Sequence, residues 1–307
     1  MALSAFIFPG QGSQYVGMGK DLYDNFQIVK DTFEEASDSA GINLKKLCFE
    51  GPENELNLTE YTQPAVLTVS VAALRALQEE NERKPVLLAG HSVGEYTALI
   101  ASEAISLLEA VALVRKRGQF TQEAVPPGEG AMAAIIGLTK EEVKRICSRA
   151  EEGEVVCPAN YNSQEQIVIS GNSSAVKRAL KLATEQGAKR TVMLPLSAPF
   201  HCRLMEPAER KLAEVLAGVE IAELKTPIIA NVDAQINRER LKVKDLLIRQ
   251  LSQPVLWEDS MKLMIKEGIE EVIEVGPGKV LSGLMKRVDQ QIKINNVEDT
   301  SSLKRIL

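Results

Sequence analysis

Apolar residues follow two rhythms along this chain, short unbroken runs and longer stretches at helical spacing, and their alternation sets the expected architecture. Runs at 5–8, 86–89, 227–230 and 271–275 are too short for helices and are bounded by turns or helical patterns, as strands buried on both faces are. Helical segments separate them, which predicts a parallel sheet covered by helices. Between Pro126-Pro127-Gly128 and Pro195 the pattern changes. It reads as strand 131–136, helix 139–150, strands 155–158 and 166–170, helix 173–186 and strand 190–194, a β-α-β-β-α-β order of the ferredoxin-like kind. Thr139 and Glu142 have capping-box spacing, which marks the first helix start. The expected fold is therefore α/β. A discontinuous large domain with a parallel sheet, 1–127 and 197–307, carries an inserted ferredoxin-like small domain, 128–196, with a cleft between the two as the natural substrate site.

Composition narrows the class. With 307 residues, 45% of them hydrophobic, the chain can bury a full core. No apolar stretch is long enough to span a bilayer, and the first residues lack the basic region of a signal peptide, so a cytoplasmic protein without a membrane partner is expected. Cys48, Cys147, Cys157 and Cys202 show no C-x-x-C spacing, which disfavours a zinc site or a disulfide framework and suits a reducing compartment. A net charge of −6 argues against nucleic acid as a partner.

The chemistry centres on Gly90-His91-Ser92-Val93-Gly94, between the run 86–89 and a helix-like stretch from Glu95. It reads as a nucleophile elbow, the strained strand-to-helix turn that exposes a serine above an α/β-hydrolase-like sheet. Serine needs a base, and the chain has two histidines. His91 adjoins the serine and reads as a packed or capping side chain. His201, in a loop or helix start set by Pro199, is the candidate base. No Asp lies between Ser92 and His201, so the residues suggest a dyad, with a Glu or a backbone carbonyl left to hold the imidazole. In the expected helix 106–122, Arg115 and Arg117 both fall beside apolar positions, and helical geometry does not choose between them. A protein carboxylate would be the ordinary partner of either. Gly276-Pro277-Gly278-Lys279 reads as a structural turn.

Together these segments resemble a known family, the malonyl-CoA:acyl carrier protein transacylases of fatty acid synthesis and the related acyltransferase domains of polyketide synthases. The resemblance rests on Phe8-Pro9-Gly10-Gln11-Gly12-Ser13-Gln14, Thr62-Gln63-Pro64-Ala65, the elbow with Glu95, Arg117-Gly118, Asn160-Tyr161-Asn162 through Gly171, Pro199-Phe200-His201 and Glu274-Val275-Gly276-Pro277-Gly278-Lys279, and it spans nearly the whole chain. It implies a ping-pong acyltransferase that needs no metal or redox cofactor, coenzyme A thioester being the substrate. Malonyl-CoA and an acidic acyl carrier protein are the implied partners, and a monomer is expected. By the same resemblance Gln250 offers a backbone carbonyl to His201, Gln11 and Val93 supply oxyanion-hole N–H groups, and Arg117 clasps the malonyl carboxylate. Gln63, Asn160 and Asn162 line the cleft by resemblance alone. Phe200 sits where the family chooses between malonyl and branched acyl units, although a ring there can simply pack the loop. The chain departs from the family at Thr121, often Met, which bears on pocket width. A serine hydrolase and a non-catalytic carrier-docking domain are the alternatives.

Overall fold

The computed structural model describes residues 3–81, 83–196 and 198–307. Met1 and Ala2, and Ser197, the expected first residue of the returning large domain, lie outside the described residues. The strands in chain order are β1 Ser4–Phe8, β2 Leu87–Gly90, β3 Gly130–Ile136, β4 Val156–Ser163, β5 Gln166–Asn172, β6 Arg190–Met193, β7 Ile228–Ile229, β8 Ile236–Asn237, β9 Glu271–Val275 and β10 Lys293–Val297.

Six of them form one sheet in the order β10-β9-β1-β2-β7-β8, parallel except for β8. The unbroken apolar runs are explained by burial on both faces, since successive side chains point to opposite sides. Phe6, Phe8, Leu88 and Ile273 enter one core with the helices Thr59–Glu80 and Leu107–Ala124, while Ala5, Ile7, Leu87, Ala89 and Val272 enter another with Trp257, Met261 and Leu281.

The other four strands form a separate antiparallel sheet, β4-β5-β3-β6. Alternation along β3 decides its two faces. Ala131, Ala133 and Ile135 pack with Val143, Ile146, Val176 and Ala179 of the helices Lys140–Ala150 and Ser173–Glu185. Met132 and Ala134 point the other way, to Val168, Ala198 and Phe200. The capping box is present, Thr139 Oγ1 accepting from Glu142 N and the Glu142 carboxylate from Thr139 N.

Two expectations need adjustment, and two elements lie outside the expected pattern. β4 does not stop at Pro158 but runs to Ser163, because the missing proline N–H is absorbed by a register shift between Pro158 and Asn160. β10 escaped notice because Lys293-Ile294-Asn295-Asn296-Val297 is a half-exposed edge strand without an apolar run. The helix Thr59–Glu80 is buried nearly all round and shows no single apolar stripe. The expected helix 106–122 is Leu107–Ala124, with Ser106 as its cap in a second capping box. Among the described residues no helix is long and apolar enough to cross a membrane.

Candidate active site

The site forms where parallel strands end, the usual crevice of an open α/β sheet. β1 ends in Pro9-Gly10-Gln11, β2 in His91-Ser92-Val93, and β7 is followed by Ala230-Asn231. Ser92 sits at φ 51°, in the left-handed region, immediately before Val93, the N-cap of the helix Gly94–Ala101. The flanking glycines are required by close approach: a Cβ on Gly90 would stand 1.9 Å from Gly94 C, and one on Gly94 would stand 2.2 Å from Phe8 O. Asn231 clamps the turn, its Oδ1 accepting from Ser92 N at 2.7 Å and its Nδ2 donating to Gly90 O at 2.7 Å.

His201 meets the serine across 109 residues of sequence, with Ser92 Oγ 2.9 Å from its Nε2. Its Nδ1 is 2.7 Å from the backbone carbonyl of Gln250. A carbonyl only accepts, so Nδ1 carries the proton and Nε2 is left to accept from the serine hydroxyl. Burial, reinforced by the Arg117 charge, depresses the His201 pKa to about 3. The imidazole is therefore a neutral acceptor throughout the physiological range. His201 is itself at φ 59°.

Arg117, and not Arg115, reaches this site. Arg115 turns away to donate to the Ala40 carbonyl. Arg117 is 1% exposed, and its partners are all neutral: Nη1 donates to Gln63 Oε1 at 2.9 Å, Nη2 to Gln250 Oε1 at 3.0 Å and to Ser92 Oγ at 3.2 Å. The Tyr96 ring lies 5.8 Å from the guanidinium. Among the described residues the Arg117 Nε has no hydrogen-bond partner. A buried cation with no carboxylate in direct contact, beside a serine, is a place for an anionic group.

These side chains open onto a cavity of about 180 Å³ between the two sheets. Gln11, Gln63, Asn160, Asn162 and Phe200 all bound it, together with Gln166, Met132 and Leu284. The backbone N–H groups of Gln11 and Val93 find no acceptor among the described residues. Asn162 Oδ1 is 2.9 Å from Nε2 of His91, whose ring lies edge-on to Trp257. Thr121 is not among the bounding residues; its hydroxyl donates to Gly118 O. Glu274 caps the helix Val280–Val288 through Leu281 N and Ser282 N, so the Gly276–Lys279 turn holds a carboxylate of its own. Asn231 escaped the sequence reading, and Glu95 entered it only as part of the elbow motif. Asn231 directly follows a parallel strand, a position that could have flagged it; Glu95 follows the elbow's second glycine, but nothing in its spacing announces burial.

Comparison with known proteins agrees with this geometry. Residues 5–305 match the acyl transferase domain family. The chain is 48% identical over 304 residues to the malonyl CoA-acyl carrier protein transacylase of Bacillus subtilis, covering 99% of this chain and 96% of that one. The solved structure of the transacylase of that name from Coxiella burnetii has a TM-score of 0.98 at 45% identity, covering 99% of this chain and 96% of that one. A type II PKS acyl-carrier protein in complex with its malonyl-transacylase gives a TM-score of 0.98 at 45% identity, covering 100% and 99%. Likeness of this extent, on a scaffold that brings serine, histidine and arginine into one cleft, establishes that the chain belongs to the malonyl CoA-acyl carrier protein transacylase family.

Proposed function

We propose that this chain transfers a malonyl group from malonyl-CoA to the phosphopantetheine thiol of an acyl carrier protein, through a malonyl-serine on Ser92, in the service of fatty acid biosynthesis. The observation that carries the reading is the buried Arg117 guanidinium 3.2 Å from Ser92 Oγ, with neutral partners only. A planar guanidinium suits a carboxylate through paired charge-assisted bonds, and malonyl is an acyl group that carries one.

In the first half-reaction His201 Nε2 takes the hydroxyl proton as Oγ bonds to the thioester carbonyl carbon. Negative charge moves to the carbonyl oxygen, where the N–H groups of Gln11 and Val93 receive it, one such donor being worth about 3 kcal/mol. The Gln250 carbonyl holds the imidazolium that forms. The C–S bond then breaks and the leaving thiolate takes the proton from His201. In the second half the pantetheine thiol gives its proton to His201, its sulfur attacks the ester, and the Ser92 C–O bond breaks with the proton returned to Oγ. Gln63 positions Arg117, Asn160 and Asn162 line the cleft, and Phe200 stands beside the acyl group. None of these steps requires a metal or a cofactor beyond the substrate thioester.

The α/β-hydrolase-like large domain and the ferredoxin-like insert belong to the same proposal. The elbow and its parallel sheet support the first. The strand order β4-β5-β3-β6 and the two packed helices support the second, and the crossings meet where Gly130 lies against Pro199. A cytoplasmic monomer is proposed, with exposed basic residues such as Lys286 and Arg287 available to an acidic carrier.

Intact mass after mixing with malonyl-CoA tests the function. A malonyl adduct on the wild type, absent in Ser92→Ala and discharged rapidly by a pantetheine thiol, is the expected result. An adduct discharged equally fast by water would indicate a hydrolase, and no adduct would indicate a docking module.

A further inference from the structure

The side chain of Gln250 stands between Arg117 and a second buried ionisable group. Its Oε1 accepts from Arg117 Nη2 at 3.0 Å and its Nε2 donates to Glu95 Oε2 at 2.7 Å. The same carboxylate oxygen accepts from Asn231 N at 3.0 Å. Glu95, Arg117 and Gln250 are each at most 1% exposed, so the interaction between the two charges is weakly screened. An ionised carboxylate only accepts, and this dictates how the amide faces, nitrogen to Glu95 and oxygen to Arg117.

We propose that Glu95 is a positioning residue that sets acyl selectivity: it is the counter-charge of Arg117 at one amide's remove, balancing the guanidinium before substrate arrives and opposing the carboxylate of an incoming acyl group. This rests on the malonyl-transfer reading above. A direct Glu–Arg pair would occupy the fork that the acyl carboxylate needs, whereas the amide spacer leaves the fork accessible. When a malonyl group binds, two anions share one cation, and proton uptake by Glu95 relieves the conflict. Burial pushes the Glu95 carboxyl up to about 7, so that its charge is in play near neutrality. The charged groups that bear on it are Arg117, from the helix Leu107–Ala124, and Asp233, from the segment after β7. Tyr96, on its own helix, is pushed up to about 12 and stays neutral, and the other two partners, Asn231 and Gln250, do not titrate.

The test measures kcat/KM for malonyl-CoA and for acetyl-CoA, with holo acyl carrier protein as acceptor, from pH 5.5 to 8.5. Taking the ratio cancels titration of the acceptor thiol and of His201. In the wild type the malonyl-to-acetyl ratio should fall about tenfold as pH rises and Glu95 ionises, the scale of like charges several ångströms apart at intermediate dielectric. In Glu95→Gln, whose amide oxygen can still accept both N–H groups, the ratio should be flat and should exceed the wild-type ratio at pH 8. Proton uptake gives an independent readout on the wild type: malonylation near pH 7 should take up a fraction of a proton more than acetylation does. A flat wild-type ratio, an equal slope in Glu95→Gln or equal proton uptake with the two acyl groups would each overturn the role of Glu95. If the wild type formed no malonyl-serine at all, the functional reading itself would fall and this inference with it.

Discussion

In the proposed reaction, Arg117 and Phe200 would divide the recognition of the acyl group between charge and shape. Arg117→Ala strands the malonyl carboxylate in a buried site, a loss of about 3–5 kcal/mol, whereas an acetyl group has no charge to strand. Malonyl transfer should therefore fall by about two to almost four orders of magnitude more than acetyl transfer, on the same scale, and kcat/KM for both thioesters checks it. Arg115→Ala, which removes a guanidinium directed at the Ala40 carbonyl, is the control and should leave the ratio unchanged. Phe200 packs with Met132, Ala134 and Val168 and also bounds the cavity, so both readings of its ring have a structural basis. Shortening it to Ser should raise methylmalonyl relative to malonyl transfer, by no more than about ten- to two-hundredfold, the worth of one methyl in an apolar pocket. If both activities dropped together, the ring would be supporting His201 and not selecting the acyl group.

At the level of elements, the elbow is the part most legible in the sequence, because glycines at 90 and 94 have a steric cause that spacing alone reveals. Gly94→Ala puts a methyl against the Phe8 carbonyl, and the strand or the helix must move to admit it. Expected is a loss of several kcal/mol of stability, as for other steric insertions into a packed site, together with loss of acylation. Thermal denaturation and adduct formation measure both. The Thr139–Glu142 capping box and the alternating elements were legible for the same reason, since each depends on neighbours in sequence. The Glu95–Gln250–Arg117 relay was not legible. Its members come from three different helices, and nothing local tells a buried glutamate from an exposed one in a first helical turn. The extension of β4 past Pro158 was equally hidden, because the partner that holds it, β5, is chosen by tertiary pairing.

Over the whole molecule, two buried titrating groups pull stability in opposite directions. Glu95, raised from 4.5 to about 7, is protonated longer in the folded than in the unfolded chain, so its effect is nil below about 4.5 and becomes a full destabilisation above about 7. His201, lowered from 6.5 to about 3, contributes stability that is present above 6.5 and is lost as pH falls towards 3. Glu95→Gln should accordingly gain on the wild type as pH rises from 4.5 to 7, by about 3 kcal/mol at most, and should not differ from it for this reason at pH 4. Denaturant midpoints at pH 4 and pH 8 check the sign; a gain at pH 4 that vanished at pH 8 would contradict it. The closure of Ser92 on His201 has a different consequence. The two residues are 109 positions apart and the entire antiparallel sheet is threaded between them. On the proposed mechanism, acylation of the serine would thus be a census of assembled molecules: in a refolding experiment, each acyl group taken up would count one chain in which the segments carrying Ser92 and His201 have already met across the sheet between them.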